Sequence, residues 1–375
     1  MKSVYIITMH CPLNYGAILQ TYALQTYLES KDILAKVINY RPAYIVDNQG
    51  LMYVGADRYK RNIFTRWVYR ILKAPSKIHR RRMFSRFMDR EIHITSEFKT
   101  FYDICKAGLE ADYFICGSDQ IWNVASGAYK DPSYFLEFIS DNRKKISYAA
   151  SGNLPLTDDV KSITFPMISR IGHISMREDI TIASIQPFID KQINHVCDPV
   201  FLLDDDVWRS LYTRNGAYVP KEKYVLVYPM GNGGEATIEK AYQFSKELCL
   251  PLYMISASAR KDSRASKKFN VDPYTFLSLF DNAEYIITNS FHGTSFSIIL
   301  EKQFWSSVAK GSNQRITSLL SSAGLENRLL NDDEIPISYN LIDLKLAKQR
   351  LSNYIQFSKD FLKSSMCSEN QSKTL

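Results

Sequence analysis

Four short blocks of the sequence combine the residue types that bind small anions and move protons. They lie at residues 14–17, 117–123, 177–178 and 289–294, far apart along a chain of 375 residues. Between them they supply backbone amides beside glycines, an arginine, carboxylates and a histidine. These groups suit a site that holds an anionic substrate and transfers a proton to or from it.

The block at 289–294, Asn-Ser-Phe-His-Gly-Thr, is the most specific of the four. A histidine can serve as an acid or a base near neutral pH, and the N–H groups at a helix N-terminus attract anions. We predict that His292 is catalytic and that Asn289, Ser290 and Gly293 contact the substrate. A capped helix with a histidine in the core is the structural alternative.

The block at 117–123 places polar groups and glycine around a tryptophan. Asp119 can act as an acid or base or can orient a ligand hydroxyl. Trp122 offers a face on which a sugar can stack. We predict that Asp119 is catalytic. The predicted substrate contacts are Gly117, Ser118, Trp122 and Asn123, whereas the alternative is a capped loop without a ligand.

Each of the other two blocks has a functional and a structural interpretation. Asn14, Tyr15 and Gly16 open a predicted helix, where backbone N–H groups can bind an anion. The alternative is an asparagine N-cap followed by a glycine turn. Arg177 ends a predicted strand and can hold a carboxylate or phosphate in a bidentate fork. Its alternative is a surface pair with Glu178 or with the next acidic residue.

Each block follows an apolar run that predicts a buried parallel strand. These runs are residues 4–8, 111–116, 172–176 and 284–288, and others at 35–39, 145–150, 224–228, 252–256 and 304–308 alternate with helical periodicity. Such alternation predicts parallel sheets of βαβ units. We expect an α/β fold of two doubly wound, Rossmann-like domains that face each other across a cleft. Ligands of such sheets bind beyond the carboxyl ends of the strands.

The expected division of the chain follows from its loops and charge. We predict an N-terminal α/β domain over residues 1–215, with a basic helical insert at about 58–90, and a C-terminal α/β domain over 216–340. A terminal helix at 341–363 and a disordered polar tail at 364–375 complete the expected organisation.

The basic insert accounts for the net positive charge of the chain. Between Asp57 and Arg90 there are twelve Lys or Arg and two Asp, whereas the net charge of the whole chain is +8. Apolar residues recur in it at helical spacing, with a break near Pro75. One interpretation is a pair of helices that lies on an anionic membrane face. The other is an amphipathic pair packed on the first domain. Nucleic acid is not expected as a partner, because no nucleic-acid motif accompanies the basic patch.

Composition argues against several other classes of protein. The six cysteines are scattered without a CxxC pair, which indicates reduced thiols and no structural metal site. No run approaches the roughly 20 apolar residues of a membrane span, and the first apolar run is too short for a signal peptide. We expect a cytoplasmic protein without a metal or cofactor. It would work at the inner face of the membrane if the basic insert binds lipid.

Taken in order, the blocks resemble the polysaccharide pyruvyl transferase family. The resemblance rests on Asn-Tyr-Gly-Ala-Ile-Leu-Gln-Thr-Tyr-Ala-Leu-Gln at 14–25, Gly-Ser-Asp-Gln-Ile-Trp-Asn at 117–123, Arg-Glu at 177–178, Thr-Asn-Ser-Phe-His-Gly at 288–293 and a later Arg315…Leu319…Leu325…Arg328 pattern. It covers about residues 4–330. The order of the blocks is far more specific than any one block.

The resemblance implies a GT-B-like fold and transfer of pyruvate from phosphoenolpyruvate to two hydroxyls of a sugar, which forms a cyclic ketal. It adds Gln20 to the expected substrate contacts, and it implies that Arg177 holds the phosphate or carboxylate of the donor with His292 beside it. Several members carry arginine two residues before this histidine, where this chain has Ser290. The expected partners are phosphoenolpyruvate and a glycan acceptor of a cell-surface polysaccharide or its lipid-linked precursor. The alternative is a GT-B-type glycosyltransferase with a nucleotide-sugar donor.

Overall fold

The computed structural model describes residues 1–46, 63–256, 262–307, 314–331, 334–336 and 340–367. By its contacts the chain divides into two compact units. Within the described ranges, no helix is both long and apolar enough to cross a membrane.

Five parallel strands form the sheet of the first unit. They are β1 (Lys2–Ile7), β2 (Ile33–Tyr40), β3 (Ile94–Phe98), β4 (Tyr113–Cys116) and β5 (Lys145–Ser147), in the spatial order β3-β2-β1-β4-β5. All four residues of β4 are buried, which explains its continuous apolar sequence. The strand order changes direction between β1 and β4, and ligands of doubly wound sheets bind at such a switch point.

A short parallel pair, β6 (Ile174–Met176) and β7 (Ile193–His195), continues from the outer side of β5. The helices in this part of the sequence are α1 (Tyr15–Glu29), α2 (Ala43–Val46), α3 (Ile63–Glu91), α4 (Phe101–Ala107), α5 (Asp158–Ser169) and α6 (Asp179–Ile185). Nearly every side chain of α1 is buried, so this helix is held inside the unit.

The second unit repeats the same topology. Its strands are β8 (Val225–Tyr228), β9 (Leu252–Ile255), β10 (Lys267–Phe269), β11 (Tyr285–Thr288), β12 (Gln303–Ser307) and β13 (Leu329–Leu330), in the order β10-β9-β8-β11-β12-β13. All the pairings are parallel, and the switch point lies between β8 and β11. The helices are α7 (Asp205–Arg214), α8 (Gly234–Glu247), α9 (Pro273–Asp281), α10 (Phe291–Ile299) and α11 (Gln314–Ala323). The last helix, α12 (Leu344–Ser365), begins in this unit and belongs to the first unit from Asn353 onward.

Two doubly wound parallel sheets confirm the predicted fold class. The division between the units differs from the expected one. The first contains Met1–Tyr53, Met88–Leu202 and Asn353–Leu375, and the second contains Val54–Phe87 and Leu203–Ser352.

The second unit begins before the predicted boundary at residue 215 because of the way in which α7 packs. Nε of Arg209 lies 3.2 Å from Oδ2 of Asp281, and the hydroxyl of Tyr212 donates to the same carboxylate at 2.7 Å. These bonds fasten α7 to α9, so the segment before residue 215 belongs to the second unit rather than to the first.

Two further details of the predicted organisation are wrong, one in the basic insert and one in the tail. Helix α3 runs through Pro75 without a break, since one proline removes a single helical hydrogen bond and need not end a helix. The predicted disordered tail is ordered at its start, because α12 ends at Ser365 and the side chain of Met366 is buried. The rest of that tail (368–375) and the first part of the insert (58–62) lie outside the described residues.

Candidate active site

The switch point of the first sheet brings two predicted blocks together. The loops that follow β1 and β4 are joined by a chain of buried hydrogen bonds. Nε2 of Gln20 donates to the Thr8 hydroxyl at 2.9 Å, and that hydroxyl donates to the backbone carbonyl of Ser118 at 3.0 Å. Gln20 is fully buried. It therefore positions these loops, which differs from the substrate contact implied by the resemblance.

The start of α1 is already capped by its own sequence. Oδ1 of Asn14 accepts hydrogen bonds from the backbone N–H of Gly16 at 2.8 Å and of Ala17 at 3.4 Å. Tyr15 is buried, with 1% of its surface exposed. The geometry favours the structural alternative for this block, because the cap uses the amides that would otherwise bind an anion.

The loop after β4 has a backbone that requires Gly117. This residue has φ +112°, and an added Cβ would lie 2.2 Å from the carbonyl oxygen of Tyr148. The peptide bond from Gly117 to Ser118 is cis. Gly117 therefore shapes the turn, whether or not a ligand approaches it.

Asp119 is held in the left-handed region of the backbone, with φ +64°. Its carbonyl oxygen accepts the N–H of Ile121 at 2.8 Å and of Ser151 at 3.1 Å, so two neighbouring segments fix this conformation. The carboxylate is half-buried and forms no hydrogen bond with any other residue that the structure describes. A carboxylate at a switch point, carried by a backbone conformation that costs energy, is suited to chemistry.

Arg177 lies in a buried ion network rather than at a surface. Nη1 lies 2.5 Å from Oδ2 of Asp198, and Nε lies 3.1 Å from Oε1 of Glu178. The same two carboxylate oxygens also accept the Ser118 hydroxyl at 3.1 Å and the Ser151 hydroxyl at 2.7 Å. The arginine thus connects β6 to the loops that shape the Asp119 turn.

The charges around Arg177 change its expected role. Burial alone would lower the pKa of the guanidinium, but the carboxylates of Glu178, Asp198 and Asp119 outweigh burial and hold the pKa above its ordinary value. A cation already balanced by these carboxylates attracts a doubly anionic donor weakly. The geometry therefore favours a positioning role for Arg177, in contrast to the donor contact implied by the resemblance.

Two other predicted contacts are used inside the protein. Trp122 is 0% exposed, its ring stacks on Phe135 at a centroid distance of 5.3 Å, and Nε1 donates to the carbonyl of Tyr134 at 3.1 Å. The prediction that its face stacks on a sugar is wrong, since that face is in the core. Asn123 caps the next turn, where its Oδ1 accepts the N–H of Ala125 at 2.8 Å.

Residues of α12 also contact the segments around Arg177, and the sequence analysis did not predict these contacts. The hydroxyl of Ser358 on α12 accepts the N–H of Cys197 at 2.9 Å. The hydroxyl of Tyr354 lies 3.0 Å from Nε2 of His195, which in turn lies 3.0 Å from the carbonyl of Arg177. A buried arginine requires counter-charges, but the sequence alone does not show that Arg177 is buried.

The fourth block lies in the second unit, at its switch point. The amide of Asn289 forms two bonds across that point, with its Oδ1 accepting from the N–H of Met230 at 2.6 Å and its Nδ2 donating to the Met230 carbonyl at 2.7 Å. Asn289 thus fastens the end of β11 to the loop after β8. Asn289 therefore has a structural role, although the loop that it holds lies at the switch point of the second sheet.

Ser290 and Gly293 shape the start of α10. The Ser290 hydroxyl accepts the N–H of Gly293 at 3.3 Å, as an N-cap does. An added Cβ on Gly293 would lie 2.5 Å from Oγ1 of Thr288, so glycine allows the helix to pack against β11. His292 follows in the first turn, and 7% of its surface is exposed. The structure thus places this histidine at a helix start beyond a strand end, as the sequence predicted.

The glycine-rich loop after β8 leads into a second helix start at the same switch point. Helix α8 begins at Gly234 with Gly233 as its N-cap and with no side-chain hydrogen bond to the cap. Its first N–H groups therefore point toward the carboxyl end of the sheet without a side-chain acceptor. In the described part of the chain, no three His, Cys, Asp or Glu side chains are grouped so as to hold a metal ion.

Comparison with solved structures gives distant similarities at the level of the fold. UDP-GlcNAc 2-epimerase of Methanocaldococcus jannaschii, in complex with UDP-GlcNAc and UDP, is 12% identical with a TM-score of 0.49, and the alignment covers 96% of this chain and 92% of that chain. UDP-GlcNAc 2-epimerase of Neisseria meningitidis is 9% identical with a TM-score of 0.47, with coverage of 97% and 94%. ADP-heptose LPS heptosyltransferase II of E. coli is 10% identical with a TM-score of 0.38, with coverage of 96% and 100%.

Comparison of the sequence identifies the family. No curated protein matches the chain. The profile that describes polysaccharide pyruvyl transferases matches residues 14–307, a range that contains all four blocks and both switch points. This match covers most of the chain and confirms the resemblance, and the chain therefore belongs to the polysaccharide pyruvyl transferase family.

Proposed function

We propose that this protein transfers pyruvate from phosphoenolpyruvate to two hydroxyls of one sugar, in a cell-surface polysaccharide or its lipid-linked precursor, and forms a cyclic ketal. The observation that carries the proposal is the family match over residues 14–307. That range includes the carboxylate of Asp119 at one switch point and a histidine at the start of a helix at the other.

The reaction defines the groups that are needed. A proton adds to the methylene carbon of phosphoenolpyruvate and turns it into a methyl group. One sugar hydroxyl then bonds to the central carbon, the bond from that carbon to the phosphate oxygen breaks, and the second hydroxyl takes its place. Of the two hydroxyl protons, one balances the new methyl group and the other leaves with phosphate. An acid for the donor and a base for the acceptor are therefore required.

His292 and Asp119 are the candidates for these two roles. His292 is the candidate acid, because imidazole exchanges protons near neutral pH. Asp119 is the candidate base toward an acceptor hydroxyl, because its carboxylate bonds to no other described residue, while the bonds from Ile121 and Ser151 fix the backbone that carries it. Arg177 supports this proposal indirectly, by holding the turn that presents Asp119.

The anionic groups of the donor need N–H donors or fixed positive charge. Helix α8 begins with no side-chain cap, so the N–H groups that follow Gly234, whose own N–H donates to the Gly231 carbonyl, are suited to a phosphate or carboxylate. The loop before it is held to the start of α10 by the two bonds between Asn289 and Met230. We therefore propose that the donor binds at the switch point of the second sheet, near His292.

A nucleotide-sugar donor is the second candidate, and one observation favours it. Ser290 caps α10 where several family members carry an arginine, so this chain lacks a cation that a phosphoenolpyruvate site would use. The uncapped, glycine-rich start of α8 suits a diphosphate equally well. The protein would then be a glycosyltransferase with the same acceptor class.

Direct binding and product analysis separate the two candidates. Titration calorimetry of the whole protein with phosphoenolpyruvate and with a UDP-sugar identifies the donor. Incubation with phosphoenolpyruvate and an isolated surface glycan should release phosphate and add a pyruvyl methyl group to the glycan. Binding of the UDP-sugar alone, with transfer of its sugar, would replace the proposal by the glycosyltransferase.

A further inference from the structure

Helix α3 presents a line of exposed cationic and apolar side chains along one face. Trp67, Ile78, Arg82, Arg86 and Arg90 follow one another at multiples of about one helical turn, and all five are exposed. We call these five residues the α3 stripe. The tryptophan is 52% exposed, which is unusual for a residue that ordinarily buries its large ring.

The opposite face of α3 fixes the stripe toward solvent. Phe84 and Phe87 are buried, and the ring of Phe87 lies 4.9 Å from that of Tyr274. Nη1 of Arg80 donates to Oδ1 of Asn270 at 3.0 Å. The helix is thus anchored through one side, and the stripe is the side that this packing leaves outward.

The three arginines of the stripe form no ion pair with the described residues, although the exposed Asp89 lies beside them on the helix. Among the residues that the structure describes, no carboxylate lies within ion-pair distance of Arg82, Arg86 or Arg90. The helix carries nine Lys or Arg but only Asp89 and Glu91 as acids. Other arginines at the surface do form ion pairs, as Arg170 does with Glu137 at 2.7 Å and Arg143 with Asp141 at 2.8 Å. Unpaired guanidinium groups at one-turn spacing form a positive line that attracts an anionic surface.

We propose that the α3 stripe docks on an anionic lipid bilayer. Guanidinium groups bind lipid phosphates, and exposed Trp67 and Ile78 supply apolar side chains that enter the interfacial layer. A nucleic-acid surface would satisfy the arginines but offers no such layer to an isoleucine. The proposal stands independently of the catalytic one, since it uses none of the residues at either switch point.

The charge on the stripe predicts how strongly binding depends on lipid charge. Each arginine near an anionic surface contributes about fivefold to partitioning at moderate salt, so three contribute about 10²-fold. Binding should weaken as salt is raised, because the Debye length shortens. The apolar side chains should make the remaining binding dependent on Trp67.

The test uses vesicles of phosphatidylcholine alone and of phosphatidylcholine with an equal share of phosphatidylserine. The full protein, a triple variant Arg82→Gln, Arg86→Gln, Arg90→Gln and a control Lys36→Gln, Lys221→Gln, Lys345→Gln are co-sedimented with each. The control removes the same charge from exposed positions off the stripe. We expect binding to the anionic vesicles only, lost about 10²-fold in the stripe variant and at most a few-fold in the control.

Tryptophan fluorescence gives a second readout that does not depend on sedimentation. Trp122, Trp208 and Trp305 are buried, so a change of emission on lipid addition reports Trp67. A shift to shorter wavelength with anionic vesicles, absent in Trp67→Phe, is expected. Equal loss of binding in both triple variants, no shift, or tighter binding to duplex DNA than to the anionic vesicles would overturn the proposal. Melting curves of all variants exclude misfolding as the cause.

Discussion

Nη1 of Arg177 lies 2.5 Å from Oδ2 of Asp198, and the two side chains are 3% and 0% exposed. Because Nε of the same guanidinium contacts Glu178, the cation is balanced within the protein. Its effect reaches Asp119 through the turn that Ser118 and the network hold in place. Arg177, which the sequence suggests as a ligand contact, thus helps to position Asp119.

The first prediction concerns Arg177→Ala. Removal of one partner from a buried ion network leaves unpaired buried carboxylates, so we expect the free energy of unfolding to fall by about 3–5 kcal/mol. Arg177→Lys should recover only part of it, because lysine cannot contact both carboxylates as a fork. Urea denaturation measures both. A variant of unchanged stability that has lost only affinity for the donor would show that Arg177 is a donor contact after all.

The second prediction separates chemistry from backbone strain at Asp119. Asp119→Gly removes the carboxylate and relieves a left-handed backbone, so turnover should fall about 10²-fold or more, while stability is kept or raised by about 1 kcal/mol. The matched control is Asp32→Gly, which relieves an exposed residue of φ +58° and should leave turnover unchanged. Phosphate release and thermal melting are the measurements. Full activity in Asp119→Gly would remove this residue from the mechanism.

The third prediction addresses the histidine at the start of α10. His292→Gln should lower turnover about 10²-fold or more, because an amide cannot transfer the proton. The fold should survive, since glutamine is similar in size. His79→Gln, at an exposed position on α3, is the control and should behave as the unmodified protein. Equal rates of phosphate release in the two variants would exclude His292 as the acid.

The fourth prediction uses two glycines that both have positive φ. Gly117→Ala places a Cβ 2.2 Å from the Tyr148 carbonyl oxygen, whereas Gly127→Ala meets nothing within 4 Å. Both substitutions should cost about 1 kcal/mol for the backbone conformation, and Gly117→Ala should cost several kcal/mol more for the clash. Denaturation of the two variants measures the difference. Equal losses would show that the loop after β4 moves to accept the methyl group.

The fifth prediction is a dependence of stability on pH. Burial lowers the pKa of His10, whose ring contacts the Thr8 carbonyl and Asn39. Below the ordinary pKa of about 6.5 the unfolded chain gains a proton that the folded chain lacks, so stability falls as pH falls, by up to about 1.4 kcal/mol per unit. Above that pH, His10 does not make stability depend on pH. In His10→Gln the free energy of unfolding should fall less steeply between neutral pH and pH about 5, as measured by denaturation at several pH values. An equally steep fall in the variant would show that the folded protein also protonates His10.

Part of that acid dependence should remain in His10→Gln. Burial and the charge of Lys191 also lower the pKa of His173, and this shift has the same sign. The double variant with His173→Gln should therefore be flatter than either single variant in the same denaturation series.

The strands and the class of fold could be predicted because buried parallel strands are continuous apolar runs. Tyr113–Cys116 and Val225–Tyr228 are such runs, and both were found. The edge strand Ile94–Phe98 was missed because Ser96 and Glu97 in it are exposed, which breaks that pattern. Local sequence therefore specified the centre of each sheet better than its edge.

The candidate site was predictable only in part, for a physical reason. The positions of Asp119 and His292 follow from strand ends, which are local features. Whether Trp122 faces a ligand or the core depends on Phe135, and whether Arg177 is free depends on Asp198. Those pairings are set by the tertiary fold, and nothing in the neighbouring sequence encodes them.

The C-terminal helix has a consequence for how the protein is made. Tyr354 and Ser358 complete the contacts beneath Arg177, yet the ribosome produces them only after the entire second unit. The first unit therefore waits for its last contacts until the second has been made, and during that time its buried ion network is without this support. A stop codon directly after Ser352 would thus damage the first unit rather than the second.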